Sequence, residues 1–354
     1  MTTYDPTDAA AATSDPAPER RSLRLSCEAD VLAFVPYSLG FLPHDSVVMV
    51  AIGPRGTPMV ARADLADDPH DRRGAAQEVS RAAVLNRIDH VLLVAYTDDP
   101  GRALTAVDDL GEALGEHGIP VAHAFRADGE RWFTLLPEDA TWSTGTAYDV
   151  TVHQLTAESV LEGRVTHADR AALEATLDPA DPDLVDAVED AIALLEDDDP
   201  LAPPASPRHD RRQLRREAEW ASAWVRDRTG HPLEVHRLPP AADVARVLRV
   251  LQHDEARDVV LAEVTRETAD AQVELWRSVA RLAPPGHRAP ASAMLAFAAW
   301  LHGNGALAWC AVDRAREADP DHALAGLVAD ALESAMPPTA WRGVDRGELR
   351  LLSA

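Results

Sequence analysis

Residues 31–52, VLAFVPYSLGFLPHDSVVMVAI, carry an apolar helical pattern through one turn into a valine-rich strand. This junction limits the fold more than any other stretch. Both flanks are apolar enough to be buried on more than one side, so they belong inside a layered structure. Pro36 is expected to interrupt the helix, and Gly40 to follow it as a residue able to take positive φ. Residues 47–53 read as a buried strand, and Gly53-Pro54-Arg55-Gly56 as the turn that returns an antiparallel partner over residues 59–65. A short strand is expected at residues 23–26.

The period then changes. Residues 75–85 are helical, and residues 89–96 (DHVLLVAY) read as a second buried strand. Residues 102–116 place Leu104, Val107, Leu110 and Leu114 three and four apart, the spacing of one helix face. Gly118 closes that helix, residues 121–126 read as a strand, and Asp128-Gly129 turns the chain into residues 130–135. Hairpin, helix, strand, helix, hairpin predicts an α/β domain, a mixed-sheet α/β sandwich, over residues 22–155. Residues 156–200 are expected as an acidic helical segment, 201–207 as a proline-rich linker, and 208–343 as an all-α domain. One helix is expected over residues 255–282. Residues 1–21 read as a disordered tail and 344–354 as a C-terminal tail.

Composition excludes several chemistries. All 34 basic residues are arginine. A P-loop, a pyridoxal Schiff base and a protein-kinase site each use a lysine, so none is expected, and no cofactor is assigned. The net charge is −25, with residues 151–200 alone contributing −12, which repels phosphate backbones and argues against nucleic acid as a partner. No apolar run approaches the roughly 18 residues of a membrane span, and the first residues lack the basic start and apolar stretch of a signal peptide. Cys27 and Cys310 are the only cysteines and lie far apart, which fits a reduced, cytoplasmic setting with both as small buried hydrophobes. No metal site is expected, because the 14 histidines show no ligand spacing.

Three stretches carry a family resemblance. Residues 35–48 hold Pro-Tyr-Ser-Leu-Gly-Phe, then Pro-x-x-Ser and a Val-rich strand; residues 128–132 read Asp-Gly-Glu-Arg-Trp; residues 298–325 read AAWLHGNGALAWCAVDRAREADPDHALA. Together they resemble the actinobacterial domain of unknown function 4192 family, over about residues 23–341. The resemblance implies a fold and no mechanism. Many members follow the Arg-Trp strand with a cysteine cluster beside Pro and Gly, whereas residues 136–145 contain no cysteine. Whatever that cluster does elsewhere, this chain cannot do it.

Candidate sites follow from residue types. His44-Asp45-Ser46 contains the members of a hydrolytic triad, but adjacent residues do not converge, so no catalytic residue is assigned. Asp45 and Ser46 are expected to hold turn amides or to face a ligand. Asp128, Arg131 and Trp132 could bind an anionic or planar ligand by paired hydrogen bonds and stacking, or simply pack on the sheet. Trp300, Gly303, Ala308, Ala315 and Asp319-Pro320 resemble one tetratricopeptide unit, a helical hairpin in which Trp300 and Asn304 are candidate partner contacts. Arg208, Arg211, Arg212, Arg215 and Arg216 fall on one helix face, a candidate partner surface for nucleic acid or an acidic lipid, with pairing inside the chain, the acidic segment at 151–200 being near, or a solvated face as the plainer expectation.

The leading expectation is a non-catalytic binding or interaction protein whose partner is an unidentified protein or small molecule. A hydrolase or transferase with its site at the sheet ends near Asp45, Ser46, Asp128 and Arg131 comes second, and a nucleic-acid regulator using the arginine stripe third. Whether Ser46 and Arg131 share one end of the sheet separates the first two readings.

Overall fold

A computed structural model describes residues 25–52, 58–135, 141–161, 165–197, 207–231 and 236–353. The expected tail at 1–21, the turn at 53–56, most of the linker and part of the cysteine-free stretch lie outside the described residues.

Helix α1 (Glu28–Leu39) begins where the Asp30 carboxylate accepts the Ser26 amide at 2.7 Å and the Cys27 amide at 3.2 Å. It runs through Pro36 instead of ending there, and Gly40 closes it at φ 78°. Proline removes one backbone rung, and burial of Leu32, Phe34, Val35 and Leu39 offsets that loss. Cys27 is exposed at the start of this helix, contrary to expectation, while Cys310 is buried. Leu25 and Ser26 are not in a strand.

Six strands follow among the described residues: β1 (Ser46–Ile52), β2 (Pro58–Asp64), β3 (Val91–Tyr96), β4 (Val121–Ala127), β5 (Arg131–Thr134) and β6 (Thr146–Ala147). Their order is β2-β1-β3-β4-β5-β6, with β3 and β4 parallel and the other neighbours antiparallel, so the sheet is mixed. The crossover from β3 to β4 is α3 (Pro100–Gly115), which starts on an Asp99 cap followed by Pro100. It lies beside α2 (Pro69–Leu85), and the two cover one sheet face through Val79, Leu110 and Leu114 against Met49 and Leu93. The alternate residues Val48, Val50, Val94 and Phe125 face α1.

Helices make up the rest: α4 (Thr141–Thr144), α5 (Gln154–Leu161), α6 (Arg170–Ala175), α7 (Pro182–Asp197), α8 (Pro207–Gly230), α9 (Ala241–Leu251), α10 (Asp254–Leu261), α11 (Ala269–Leu282), α12 (Arg288–His302), α13 (Gly305–Ala318) and α14 (Ala323–Glu333). The single helix expected over 255–282 is therefore two. Thr265 and Thr268 lie 3.2 Å apart at their hydroxyls, and Thr268 Oγ1 donates to the Glu263 carbonyl at 3.2 Å, giving the backbone a turn that competes with helix.

One buried cluster joins the two halves. It runs from Val31, Phe34, Val94 and Phe125 to Trp276, Met294 and Val312 without a break. Residues 344–353, expected as a tail, are docked: Leu349 and Leu351 are buried, and Arg346 bonds both Ser222 and Glu263. No helix among the described residues is long and apolar enough to cross a membrane.

Candidate functional site

The register sets one row of side chains across the sheet. Ser46 pairs with Tyr96, Tyr96 with Ala127, Ala127 with Trp132, and Trp132 with Thr146. Directly paired residues share a face, so this row lies on the α1 side, at the carboxyl ends of the parallel strands β3 and β4. Ligands of open α/β sheets collect at that end. Ser46 and the Arg131–Trp132 hairpin thus sit at the same end, three strand spacings or about 14 Å apart.

The row is partly polar and closely packed. Ser46 is 0 % exposed and Tyr96 6 % exposed, and neither hydroxyl has a hydrogen-bond partner among the described residues. Trp132 is half-buried, edge-on to Phe125 with ring centroids 5.9 Å apart. Tyr148, just past β6, is also half-buried and close enough for its charge to bear on Tyr96. Burial pushes the Tyr96 phenol well above its ordinary range, with Tyr148 adding to the effect. Burial, and then the neighbouring Asp128 carboxylate, pushes Tyr148 up to about 12, while the Gly129 amide bonded to its oxygen works the other way. Both phenols are therefore neutral at physiological pH.

Asp45 does not join this row. Its backbone takes φ 38°, and its carboxylate accepts from Thr97 Oγ1 at 3.1 Å and Arg102 Nη1 at 3.0 Å. Arg102 also donates to the Leu65 carbonyl at 2.6 Å and pairs with Asp67 at 3.2 Å. The Asp128 carboxylate accepts the Glu130 and Arg131 amides at 3.0 and 2.7 Å, which holds the hairpin turn. Arg131 spends its fork on the carbonyls of Thr144 and Gly145, at 2.9 and 2.8 Å, and as the neighbour of Trp132 points to the other face. Of the five candidate ligand residues, Ser46 and Trp132 are the two on the α1 face of the sheet.

Sequence reasoning missed Tyr96, Thr97, Arg102, Arg126 and Tyr148. Arg126 is 6 % exposed, donates to the Thr97 and Asp98 carbonyls at 3.0 and 3.3 Å, and lies 4.0 Å over the Phe133 ring. The available signal was the polar run Tyr96-Thr97-Asp98-Asp99-Pro100, a strand end leading into a capped helix. At the start of α1, the Glu28 carboxylate lies 3.1 Å from His123 and Asp30 lies 3.1 Å from His153. The Ser26 amide holds Asp30 below its ordinary value, against the effect of burial.

A cleft of about 140 Å³ opens between α2 and α3, lined by Arg73, Gln77, Asp109, Glu112 and Glu116. Its Asp109 carboxylate is already bonded to Arg72. Among the described residues, no group of three or more His, Cys, Asp or Glu is placed to hold a metal ion.

The expected partner residues sit differently from the sequence picture. Trp300 is only 5 % exposed, its indole N–H donating to the Met336 carbonyl at 3.0 Å, so it is an internal packing residue. Asn304 caps α13 by accepting the Leu307 amide at 3.0 Å. In the arginine stripe, the Arg208 side chain lies outside the described residues. Arg211 donates to the Arg350 carbonyl at 2.6 Å and pairs with Glu255 at 3.5 Å, Arg215 pairs with Glu219 at 3.0 Å, and Arg216 bonds Gln213. Arg212 is exposed. These contacts are not with the acidic segment at 151–200. That segment's α7 packs on α9 instead, where Arg249 donates to the Leu195 carbonyl at 2.8 Å.

No curated protein matches the chain. No solved structure matches it either. A family model described as a domain of unknown function does match, over residues 29–339. The chain therefore belongs to the DUF4192 family.

Proposed function

We propose that the chain is a cytoplasmic, non-catalytic binding protein of an actinobacterium that holds a small molecule at the carboxyl end of its sheet. The observation that supports this is the single row Ser46–Tyr96–Ala127–Trp132–Thr146 on the α1 face. The row carries the buried Ser46 and Tyr96 hydroxyls, the exposed Thr146 hydroxyl and the Trp132 ring at the end where open sheets collect ligands. An enzyme built on Ser46 has less support, since no base is bonded to the Ser46 hydroxyl among the described residues. Asp45 is engaged by Thr97 and Arg102. A nucleic-acid role for Arg211, Arg215 and Arg216 is weakened by their bonds to neighbouring groups. It predicts salt-dependent retention on a DNA or heparin column, which we expect to be absent.

The helices fit a supporting role. We read residues 22–155 as the ligand-bearing α/β domain and 208–343 as an all-α domain that buttresses it. Within the second, we read α12 and α13, packed through the buried Ala308, Ala311 and Ala315, as a tetratricopeptide-like hairpin. A thermal-shift screen of metabolites on the full chain tests the binding reading. The expected result is a compound that raises Tm for the wild type and loses its effect in Trp132→Ala. Binding hits that survive substitution of every residue in the row, or turnover of a hit, would overturn it.

A further inference from the structure

Residues 342–353 form a strap with one short 3-10 turn, Arg346–Glu348, laid over the helices. Trp341 anchors its start, edge-on to Phe297 and Trp300 with ring centroids 5.1 and 6.4 Å away. Gly343 follows at φ 81°, with nothing beyond its chain neighbours within 4 Å of where a Cβ would stand, so it sets a turn and not a close contact. Past that turn the backbone bonds close on the strap itself: the Glu348 amide to Asp345, and the Leu352 and Ser353 amides to Leu349, each at 3.0 Å. Two arginine side chains bond it to the helices. Arg346 donates to Ser222 Oγ at 2.8 Å and to the Glu263 carboxylate. At the other end, Arg211 donates to the Arg350 carbonyl at 2.6 Å and pairs with Glu255 at 3.5 Å.

The receiving surface is built for a cation. Ser222, on α8, is 0 % exposed and donates to Glu263 at 2.6 Å. The Glu263 side chain, in the turn after α10, is only 12 % exposed. Arg226 reaches it at 3.9 Å and is itself 62 % exposed. A carboxylate so enclosed is costly without a close cation, and the guanidinium of Arg346 fills that need. Ser222 and Arg211 stand about 16 Å apart along α8. The strap spans that interval from Arg346 to Arg350, burying Leu349 to 9 % and Leu351 to 1 % exposure. The family match at residues 29–339 contains this seat and not the strap.

We infer that the seat along α8 and α10 is a peptide-docking site, occupied in cis by residues 344–352, and that its partner is a protein segment carrying an arginine with leucines three and five residues on. This is independent of the sheet-end reading. The strap adds no strand or long helix to the fold, so it opens locally without unfolding the helices beneath it. Opening turns about Gly343 while Trp341 stays in place. It takes from Glu263 its nearest cation and wets the surface that covered Leu349 and Leu351. The vacated seat therefore rewards a segment of the same pattern and rejects an acidic or uncharged one.

Hydrogen exchange on the full chain is the first test. The bonded amides of Glu348 and Leu352 should exchange about a hundredfold faster than amides in the middle of α8, and faster still in Arg346→Ala with α8 unchanged. Exchange as slow as that of α8 would make the strap part of the core and overturn the inference. Fluorescence anisotropy with a labelled peptide of residues 343–354 is the second. The full chain carrying Arg346→Ala and Leu351→Ala should bind this peptide about tenfold more tightly than the wild type, whose own strap competes. Adding Glu263→Gln to that chain, or placing Arg346→Ala in the peptide, should weaken binding by about tenfold. A folded double variant that fails to bind, or binding indifferent to Glu263, would overturn the docking site. Unfolding of the double variant would overturn it too, since a detachable strap is not needed for the fold.

Discussion

The Asp45 carboxylate meets the Arg102 guanidinium at 3.0 Å and thereby ties the start of β1 to the first turn of α3. The same arginine reaches the Leu65 carbonyl, so one side chain joins three segments at the carboxyl end of the sheet. Arg102→Ala is expected to cost about 1–3 kcal/mol, the range for losing hydrogen bonds to a charged group. Most of that loss should come from the Leu65 carbonyl, since the ion pair itself is partly exposed. Asp45→Asn should cost less, because asparagine accepts hydrogen bonds and tolerates positive φ. Urea denaturation of the full chain measures both, and a loss under about 0.5 kcal/mol for Arg102→Ala would contradict the assignment.

Trp300 offers a sharper contrast between surface and core. As an internal residue bonded to Met336, its replacement by alanine should cost about 3–5 kcal/mol. Arg212→Ala, at an exposed position, should change stability by less than about 0.5 kcal/mol. Equal, small effects for the two in thermal melts would place Trp300 on the surface after all.

Stability should fall on mild acidification. Burial, and then nearby arginines, hold His167 and His322 below the ordinary value of 6.5. The unfolded chain therefore takes up protons first as pH drops through 6.5, and the folded state loses ground until its own histidines protonate. His322 Nδ1 also accepts the Ala325 amide at 3.4 Å, a cap that protonation would break. The expected result is a lower Tm at pH 5 than at pH 7, with a smaller drop in His322→Asn, which keeps a capping side chain without a titrating one. An unchanged pH dependence in that variant would remove His322 from the account.

A second loss is expected at alkaline pH. Tyr148 ionises near 12 in the folded protein and near 10 when unfolded. Folding thus holds a proton that the unfolded chain releases, and stability declines as pH rises past 10. Tyr148→Phe should flatten that decline, as followed by denaturation midpoints between pH 9 and pH 11. An identical slope in the variant would show that other groups set the alkaline limit.

The elements with a long, clean period were readable from sequence. β1, β3 and α3 needed only alternation, a buried run or a three-and-four spacing, although α3 starts on its Asp99-Pro100 cap, two residues before the expected start at 102. Pro36 misled because its cost is local while the burial that overrides it comes from distant residues. Thr265 and Thr268 were hidden for the opposite reason: a turn made by two hydroxyls leaves no mark in an apolar pattern. β6, with two residues, is too short to show any period. The candidate site was legible as a place and not as a set. Asp45 finds Arg102 57 residues away, and Ser46 faces Tyr96 only because β1 lies between β2 and β3. Register is a tertiary property, and neighbouring residue types such as Arg131 and Trp132 cannot reveal that they point apart.

The unbroken core has a consequence for how the chain is made. Helix α1 and the sheet leave the ribosome long before Trp276, Met294 and Val312, which belong to the same buried cluster. The Asn86 side chain likewise waits for the Ala335 carbonyl, which it reaches at 2.9 Å. A product stopped after β6 would lack the later members of that cluster and leave its edge incomplete. The native state of the amino-terminal half is therefore completed from the other end of the molecule.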